Sequence, residues 1–253
     1  MTLPTDQRIP PDQLITEHSG GISRDQFIAM GDEIVTHSLI GAAKLQPSGR
    51  LLDIGCGCGK IARPLTRYLS AQGGYDGIDI TSAAIDWCRQ AYKQYPNFRF
   101  HLADLQSTRY NSAGAKKSSD YRFPFEADSF DVTFLGSVFT HLLPEDTAHY
   151  LREIARVLKP GGRCLATFFV LDAQAKEGIQ AKKTTPTFGF AYGDMGCRIE
   201  MESMPEAAIA YEEDLIRRMH EDAGLAVSAI SFGEWGRKRF IPHWQDEVWS
   251  YKR

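Results

Sequence analysis

The residues of this chain whose types and spacing best suit chemistry lie in one stretch, RLLDIGCGCGK, at positions 50–60. Asp53 lies near the end of a short apolar run, and Gly55, Gly57 and Gly59 follow it. Glycine permits positive φ and carries no Cβ, so a ligand can approach the backbone of such a turn closely. A strand that leads through a glycine turn into a helix is typical of ligand sites at the carboxyl edge of an α/β sheet. The stretch therefore predicts a small-molecule site.

The spacing of these glycines separates two classes of ligand. Dinucleotide-binding loops have the pattern G-x-G-x-x-G, which lets a helix N-terminus meet a pyrophosphate. Here the pattern is G-x-G-x-G, and Asp53 precedes the first glycine by two positions. A buried carboxylate at this point suits a ligand that carries positive charge and an amino group. S-adenosylmethionine, which has a sulfonium, an ammonium and a ribose but no phosphate, is such a ligand.

Two further aspartates follow predicted strands and could complete this site. The second strand is predicted over 74–80, where Asp79 could accept hydrogen bonds from ribose hydroxyls; the alternative is a carboxylate that caps the next helix. Asp104 follows a third predicted strand, 98–102, and could accept from an adenine amino group while Leu105 covers the ring. The alternative for Asp104 is a solvated position in a loop.

One histidine is the leading candidate for acid–base chemistry. Methyl transfer to an alcohol requires that the hydroxyl proton leave, so a general base is useful. His141 follows the fourth predicted strand, 130–135, whose end is expected to face the transferable methyl group. The alternative is a structural histidine. Glu145 and His243 are weaker candidates, interpreted as surface or hairpin residues.

No metal site is expected. Cys56 and Cys58 form a C-x-C pair inside the glycine turn, but no third and fourth ligand cluster with them in the sequence. We interpret both cysteines as small residues that fill the loop.

Alternating strands and helices must position these residues, which predicts an α/β fold. Strands are predicted over 51–54, 74–80, 98–102, 130–135, 163–171, 225–232 and 246–251. Helices are predicted to begin at Ser23, after Lys60, at Thr81 or Ser82, at Pro144 and at Glu212. The Lys-Pro-Gly-Gly at 159–162 is expected to end the helix that begins at Pro144.

Three segments are expected to lie outside this alternation. Residues 1–45 form an N-terminal arm and helical cap, with a loose arm up to Gly21; residues 106–123 form an inserted surface loop; and residues 172–212 form a substrate lid. In the cap, Gly31 is costly inside a helix unless something packs closely against it. Phe27 to Gly31 either makes a helix–helix contact or lies against the methionine end of the cofactor.

Composition narrows the class of protein. With 253 residues, of which 43% are hydrophobic and 24% charged, the chain suits a single globular domain over 1–253. The net charge of −3 gives no general attraction to nucleic acid or to an anionic membrane, and Arg237-Lys238-Arg239 is the one basic cluster. No apolar run approaches the ~20 residues that span a bilayer. An odd number of cysteines and a start without an apolar core indicate a reducing cytoplasm.

With these residues assembled, the chain resembles the bacterial class I S-adenosylmethionine-dependent methyltransferases that act on small molecules. The resemblance covers roughly residues 27–250 and rests on LLDIGCGCGK, GIDIT, FRFHLADL, FDVTFLGSVFTHLLPED and HYLREIARVLKPGG. The last stretch, a helix that ends in L-K-P-G-G, is highly specific to this family. The resemblance implies a doubly wound, Rossmann-like sheet of seven mostly parallel strands, with a reversed C-terminal β-hairpin and variable small caps that hold the substrate.

The resemblance also implies roles for single residues. Carried over position by position, they divide as follows: Asp53, Gly55, Cys56 and Gly57 at the methionine and ribose, Asp79 and Ile80 at the ribose and adenine, Asp104 and Leu105 at the adenine, and Gly136 and Ser137 at the methionine near the reacting centre. Cys58 departs from the family, where a larger residue is common.

The function expected from these features is methylation of a hydroxyl on a small organic molecule, with S-adenosylhomocysteine as product. Alternatives are methylation of a small amine, methylation of RNA or protein, and cofactor binding without catalysis. Aromatic residues of the lid and of the final loop suit an apolar acceptor, or else form core: Phe188, Phe190, Tyr192 and Trp235. Neither a monomer nor a homodimer is favoured by the sequence.

Overall fold

A computed structural model describes residues 8–107, 114–115, 117–237 and 244–253. The strands are β1 (Arg50–Ile54), β2 (Gly74–Asp79), β3 (Phe98–Leu102), β4 (Phe130–Leu135), β5 (Leu158–Phe168), β6 (Val170–Leu171), β7 (Phe190–Ala191), β8 (Cys197–Ile199), β9 (Ile209–Glu212), β10 (Leu225–Ser231) and β11 (Asp246–Lys252). The α-helices are α1 (Asp12–His18), α2 (Arg24–Glu33), α3 (Ala62–Leu65), α4 (Ser82–Ala91), α5 (Pro144–Val157), α6 (Ala173–Gln180) and α7 (Glu213–Asp222).

The main sheet has seven strands in the order β10-β11-β5-β4-β1-β2-β3. Strand β2 pairs in parallel with β1 and with β3, whereas β11 runs antiparallel to both β5 and β10. The predicted α/β fold, with a mostly parallel sheet and a reversed final hairpin, is therefore confirmed.

The chain divides into two compact units, one formed by residues 1–103 and 130–134 and the other by residues 104–129 and 135–253. In the first unit, aromatic rings fill the space between β2, β3 and α4. The Tyr75 ring stacks on Phe98 with centroids 5.3 Å apart, and Tyr92 packs on Phe100 at 5.1 Å. Both tyrosines are buried, so this cluster packs helix α4 against strands β2 and β3. The expectation of one domain over 1–253 stays a prediction.

The N-terminal arm is not loose over its described part, contrary to the expectation for residues up to Gly21. Residues 12–18 form α1, and Ile15 is fully buried against Phe27, Cys58 and Ala84. The sequence pattern gave little sign of this, because so short a helix depends on tertiary burial rather than on its own propensity.

Helix α2 begins where the sequence predicts. The Ser23 hydroxyl accepts from the Gln26 N–H at 3.2 Å, and the Gln26 side chain accepts from the Ser23 N–H at 2.9 Å, which makes a capping box. The helix continues as a π-helix over Ile34–Ala42. A Cβ built on Gly31 would lie 2.5 Å from the Lys60 carbonyl oxygen, so the close packing that a helical glycine requires is present.

In the second unit, two boundaries differ from the prediction. Strand β5 begins at Leu158 rather than at Arg163. The backbone of Leu158, directly after α5, is already extended, with φ −70° and ψ 139°. It also ends at Phe168, and 170–171 is a separate strand.

The predicted lid is not irregular chain. It contains α6, and its strands join β6 in a second sheet in the order β6-β9-β8-β7. These strands are two to four residues long, too short for a periodic pattern to show in the sequence. Of the predicted inserted loop, residues 108–113 and 116 lie outside the described residues, and Ser118–Asp120 forms a single 3₁₀ turn.

We expect Gly31→Ala to lower the free energy of unfolding by about 1–3 kcal/mol, measured by urea denaturation. The added methyl would collide with the Lys60 carbonyl, which belongs to the backbone and cannot rotate away. Helix propensity alone would give the opposite sign, since alanine is favoured over glycine by about 1 kcal/mol. Ala29→Gly on the exposed side of α2 is the control, and it should show only that propensity loss. A Gly31→Ala protein as stable as the parent would contradict the close contact.

Candidate functional site

The glycine loop after β1 is held against the end of β2 by main-chain hydrogen bonds. The N–H groups of Gly55 and Cys56 both donate to the Ile78 carbonyl oxygen, at 2.8 and 3.0 Å. Gly55, Gly57 and Gly59 all have positive φ, at 77°, 50° and 85°. Each therefore adopts a backbone conformation that a residue with a Cβ adopts only at a cost. The alternating glycines are a geometric requirement of this loop.

Asp79 joins the loop to the start of α4. One carboxylate oxygen accepts from the Gly57 N–H at 2.8 Å, and the other accepts from the Thr81 N–H at 2.9 Å. Thr81 precedes the first residue of α4, so this bond does not cap the helix, and the helix-capping alternative is not observed; the bond to Gly57 holds the loop. Each carboxylate oxygen has two acceptor positions, so both can still accept a ribose hydroxyl. That ribose role stays a prediction, as does the role of the half-buried Ile80.

Asp53 lies beneath the loop, only 1% exposed, and accepts a hydrogen bond from the Tyr75 hydroxyl at 2.6 Å. Burial raises the pKa of Asp53 to about 7, although the Tyr75 hydrogen bond and the nearby Lys60 ammonium act in the opposite direction. Burial also lowers the pKa of Lys60. A cation bound close to Asp53 would favour its ionised form.

Sequence reasoning did not find Tyr75, although a signal for it exists. In the register of β1 and β2, Asp53 lies opposite Gly77, which has no side chain. A Cβ built on Gly77 would approach the Cys56 sulfur to 2.8 Å and the Tyr75 ring to 3.1 Å. The glycine therefore leaves the space through which Tyr75 reaches Asp53.

Three buried thiols surround the same loop. The sulfur atoms of Cys56 and Cys88 lie 3.7 and 3.6 Å from the Gly57 carbonyl oxygen, and Cys58 contacts the Ser19 hydroxyl at 3.6 Å. Burial raises the pKa of all three, so they are neutral thiols at ordinary pH. No cluster of metal-ligating side chains occurs in the part of the chain that the structure describes. The thiols fill the loop.

Helix α1 lies directly on this loop. A Cβ on Gly57 would come within 3.0 Å of the His18 carbonyl oxygen, at the end of α1. Phe27 packs against Cys58, and Gly31 backs onto Lys60, so both predicted cap residues adjoin the loop. Their contact with the methionine end of a cofactor stays a prediction.

The remaining predicted cofactor residues belong to the second unit. Asp104 is exposed and accepts from the Ala115 N–H at 3.4 Å, whereas Leu105 is buried. Gly136 is half-buried, and Ser137 has a positive φ of 60° although it is not glycine. The Ser137 N–H donates to the Thr167 hydroxyl at 2.7 Å. The structure holds these residues in defined positions, and their cofactor contacts stay predictions.

His141 lies in a loop that the second sheet holds in place. Its Nδ1 is 3.1 Å from the Glu206 carbonyl oxygen, and the Ile209 N–H donates to the Thr140 carbonyl at 3.0 Å. Because a carbonyl oxygen only accepts, Nδ1 carries the proton and Nε2 carries the lone pair of the neutral ring. This is the tautomer that a general base at Nε2 requires. Glu206 was not found from the sequence, and His243 lies outside the described residues.

Of the three aromatic residues of the expected lid, one belongs to the core. Phe188 is fully buried, with its ring centroid 5.1 Å from Phe169 and 5.2 Å from Trp235. Phe190 is 42% exposed, and Tyr192 is half-buried. The alternative of core therefore holds for Phe188 and Trp235.

The basic cluster expected at 237–239 is only partly visible, because Lys238 and Arg239 lie outside the described residues. The Arg237 side chain is 8% exposed, pairs with Asp172 at 3.0 Å and lies over the Phe232 ring at 4.2 Å. It is therefore bound within the protein. Within the described ranges, no helix is both long and apolar enough to cross a membrane.

Comparison with known proteins agrees with this geometry. A family model described as "Methyltransferase domain" matches residues 52–166. The chain is 33% identical over 159 residues to phthiotriol/phenolphthiotriol dimycocerosates methyltransferase 1 of Mycobacterium ulcerans, covering 62% of this chain and 49% of that one. It is 33% identical over 152 residues to 27-O-demethylrifamycin SV methyltransferase of Amycolatopsis mediterranei, covering 58% and 48%. The chain thus spans about half the length of these curated relatives.

Among solved structures, a SAM-dependent methyltransferase from Methanosarcina mazei matches with a TM-score of 0.56 and 20% identity, covering 85% of this chain and 97% of that one. At this identity the likeness concerns the fold. The cofactor that the family implies is S-adenosylmethionine, and the loop fits it in two respects. Gly55, which is exposed and has no Cβ, permits close approach of a ligand, and Asp53 offers a carboxylate that a cation would keep ionised.

We expect Asp53 to make the ligand-free protein less stable as pH rises from about 4 to about 7, because the folded state keeps Asp53 protonated where the unfolded state ionises it. The stabilisation from protonated Asp53 is complete below the ordinary pKa of an aspartate, and it is lost as the pH rises past the raised pKa of Asp53. Asp53→Asn should remove this dependence, and should therefore gain on the order of a few kcal/mol relative to the parent between pH 4.5 and 8.

The measurement is urea unfolding at both pH values. Asp104→Asn, at an exposed carboxylate, is the control and should leave the pH dependence unchanged. If Asp53→Asn keeps the dependence of the parent, Asp53 is not the group that titrates.

Proposed function

We propose that this chain is a class I S-adenosylmethionine-dependent methyltransferase that transfers a methyl group to a hydroxyl of a small organic molecule. The starting point is the methyltransferase family model that matches residues 52–166. The observation that carries the proposal is the pinned glycine loop between two carboxylates, Asp53 below it and Asp79 at its side. This arrangement offers negative charge and, at Gly55, an exposed backbone position without a Cβ, and it lacks phosphate-binding features, which suits a sulfonium nucleoside.

S-adenosylmethionine, when bound, supplies an electrophilic methyl group. The chain's own residues then have the tasks of binding, alignment and exclusion of water, which account for most of the acceleration of an in-line displacement. The Asp79 carboxylate orients ribose hydroxyls while it keeps the loop closed on Ile78. The ionised form of Asp53 compensates positive charge from below the loop.

An oxygen acceptor is supported by two observations. The Nδ1–H of His141 donates to the Glu206 carbonyl oxygen, so in the neutral ring Nε2 is the basic nitrogen, the atom that a general base would use to take the proton of an alcohol as its oxygen is methylated. The relative from Amycolatopsis mediterranei is named for a 27-O-demethyl compound, and hence for an oxygen that lacks its methyl group. A neutral amine already carries a nucleophilic lone pair and needs no base to reach it.

We expect the protein to bind S-adenosylhomocysteine in isothermal titration calorimetry and to give no heat with NAD. Asp79→Ala should weaken S-adenosylhomocysteine binding by about tenfold or more, because two charge-assisted hydrogen bonds to the ribose are lost and the Gly57 N–H is released. Asp86→Ala, at an exposed carboxylate on α4, is the matched control and should bind normally. Unchanged affinity in a folded Asp79→Ala protein would remove the ribose assignment, and tight NAD binding would remove the proposed function.

Turnover tests the role of His141. Methyl-labelled S-adenosylmethionine is incubated with pooled metabolite extracts, and the product that gains one methyl is identified by mass spectrometry. His141→Ala should then lower kcat by roughly 10²–10⁴ with S-adenosylhomocysteine affinity unchanged. His37→Ala, at an exposed histidine, is the control. Full turnover by His141→Ala would leave the methyltransferase proposal intact but exclude a general base at this position, and a methylated amine as the product would exclude the oxygen acceptor.

A further inference from the structure

Ser137, Thr167 and Gln245 form a closed hydrogen-bond network that the proposed reaction does not use. The Ser137 hydroxyl and the Thr167 hydroxyl both donate to the Gln245 side-chain oxygen, at 2.9 and 2.7 Å. The Thr167 hydroxyl in turn accepts from the Ser137 N–H at 2.7 Å. Both acceptor positions of the amide oxygen are therefore taken by hydroxyl groups.

The structure shows which way the amide of Gln245 faces. Its oxygen end meets both hydroxyl groups, so the Nε2 group, with two N–H donors, lies on the opposite side. No acceptor for Nε2 occurs among residues 8–107, 114–115, 117–237 and 244–253, and the side chain is half-buried. The result is a preorganised pair of donors beside a satisfied oxygen.

The backbone that carries Gln245 is held firmly. The carboxylate of the next residue, Asp246, accepts from the Val170 N–H, the Gly233 N–H and the Trp235 indole at 2.6, 2.7 and 2.6 Å. A Cβ on Gly233 would lie 2.4 Å from the Gln245 carbonyl oxygen, so this contact also excludes movement.

Ser137 adds a second sign of function. It keeps a positive φ of 60° although it is not glycine, at a cost of about 1–2 kcal/mol, and it is exposed. Backbone strain of this kind persists where surrounding contacts hold it, and it is found most often at functional sites. Here the strain places both the N–H and the hydroxyl of Ser137 in the network that orients Gln245.

We propose that the side-chain amide of Gln245 binds a carboxylate or carbonyl oxygen of the methyl acceptor, and so selects acceptors that carry such an oxygen. The assignment rests on the proposed function for the identity of the molecule as an acceptor. Two N–H donors match the two lone pairs of an sp² oxygen, or the two oxygens of a carboxylate. They repel an ammonium group, which only donates, and this distinguishes oxygen-bearing acceptors from amines.

The test uses ¹⁵N-labelled protein saturated with S-adenosylhomocysteine and titrated with benzoate, a carboxylate on an apolar ring. We expect the two side-chain amide protons of Gln245 to shift with saturable dependence on benzoate, together with the Ser137 backbone amide. Benzylamine, with the same ring and an ammonium group, should shift neither.

Gln245→Glu separates recognition from structure. A carboxylate can still accept hydrogen bonds from both hydroxyl groups, so the network is kept. The two N–H donors of the amide are replaced by a negatively charged oxygen. Benzoate affinity, read from the Ser137 amide, should fall by about tenfold or more, while S-adenosylhomocysteine affinity stays within about twofold. Gln90→Glu, on the exposed side of α4, makes the same chemical change elsewhere and should have no effect.

Two results would overturn this assignment directly: no benzoate-dependent shift at Gln245, or equal shifts with benzylamine. A shift already saturated by S-adenosylhomocysteine would also overturn it, because it would assign the amide to the cofactor's carboxylate. Each leaves the proposed function standing if S-adenosylhomocysteine binds. Absence of S-adenosylhomocysteine binding would instead contradict the proposed function, while the benzoate titration would still report on the amide.

Discussion

The hydrogen bond from the Gly57 N–H to the Asp79 carboxylate is the interaction on which the rest of the cofactor loop depends. It ties the middle of the loop to the end of β2, and the other oxygen of the same carboxylate accepts from the N–H of Thr81, directly before α4. Because the loop's first two N–H groups are bonded to the Ile78 carbonyl, β1, the loop, β2 and α4 form one connected unit. The order in the loop therefore comes from the strand ends, and the glycines let the loop follow them.

The parts that the sequence predicts well are those where local chemistry and global fold impose the same residues. Positive φ at Gly55, Gly57 and Gly59 demands glycine wherever the loop occurs, so the motif is visible in the sequence and its geometry follows. The same holds for the start of α2, which is predicted at Ser23; the structure adds that Gln26 completes a capping box with it. The apolar strands and the amphipathic α5 are also predicted from the sequence, because their apolar residues recur at a regular spacing.

The parts that the sequence did not predict depend on contacts between distant residues. Tyr75 reaches Asp53 across a parallel pair of strands, and only the register, with Gly77 opposite Asp53, reveals the space for it. The short strands of the second sheet carry too few residues for a period, and α1 owes its order to the burial of Ile15. Glu206 serves His141 through its backbone carbonyl, which leaves no trace in residue type. Each of these features is determined by packing, so no local pattern encodes it.

The buried Asp53 is a residue that the ligand-free protein would be more stable without. Its carboxyl is almost fully buried, burial disfavours its charge, and the hydrogen bond from Tyr75 and the nearby Lys60 ammonium compensate only in part. An asparagine would keep the Tyr75 hydrogen bond without the penalty of ionisation. A residue type that lowers the stability of the folded protein, where another residue type would keep the same hydrogen bond, points to a functional role. A positively charged ligand would offset this loss of stability, because its charge would stabilise the ionised Asp53 carboxylate that burial disfavours. The cost therefore lies beside a loop whose first glycine, Gly55, is exposed and leaves room for such a ligand to approach.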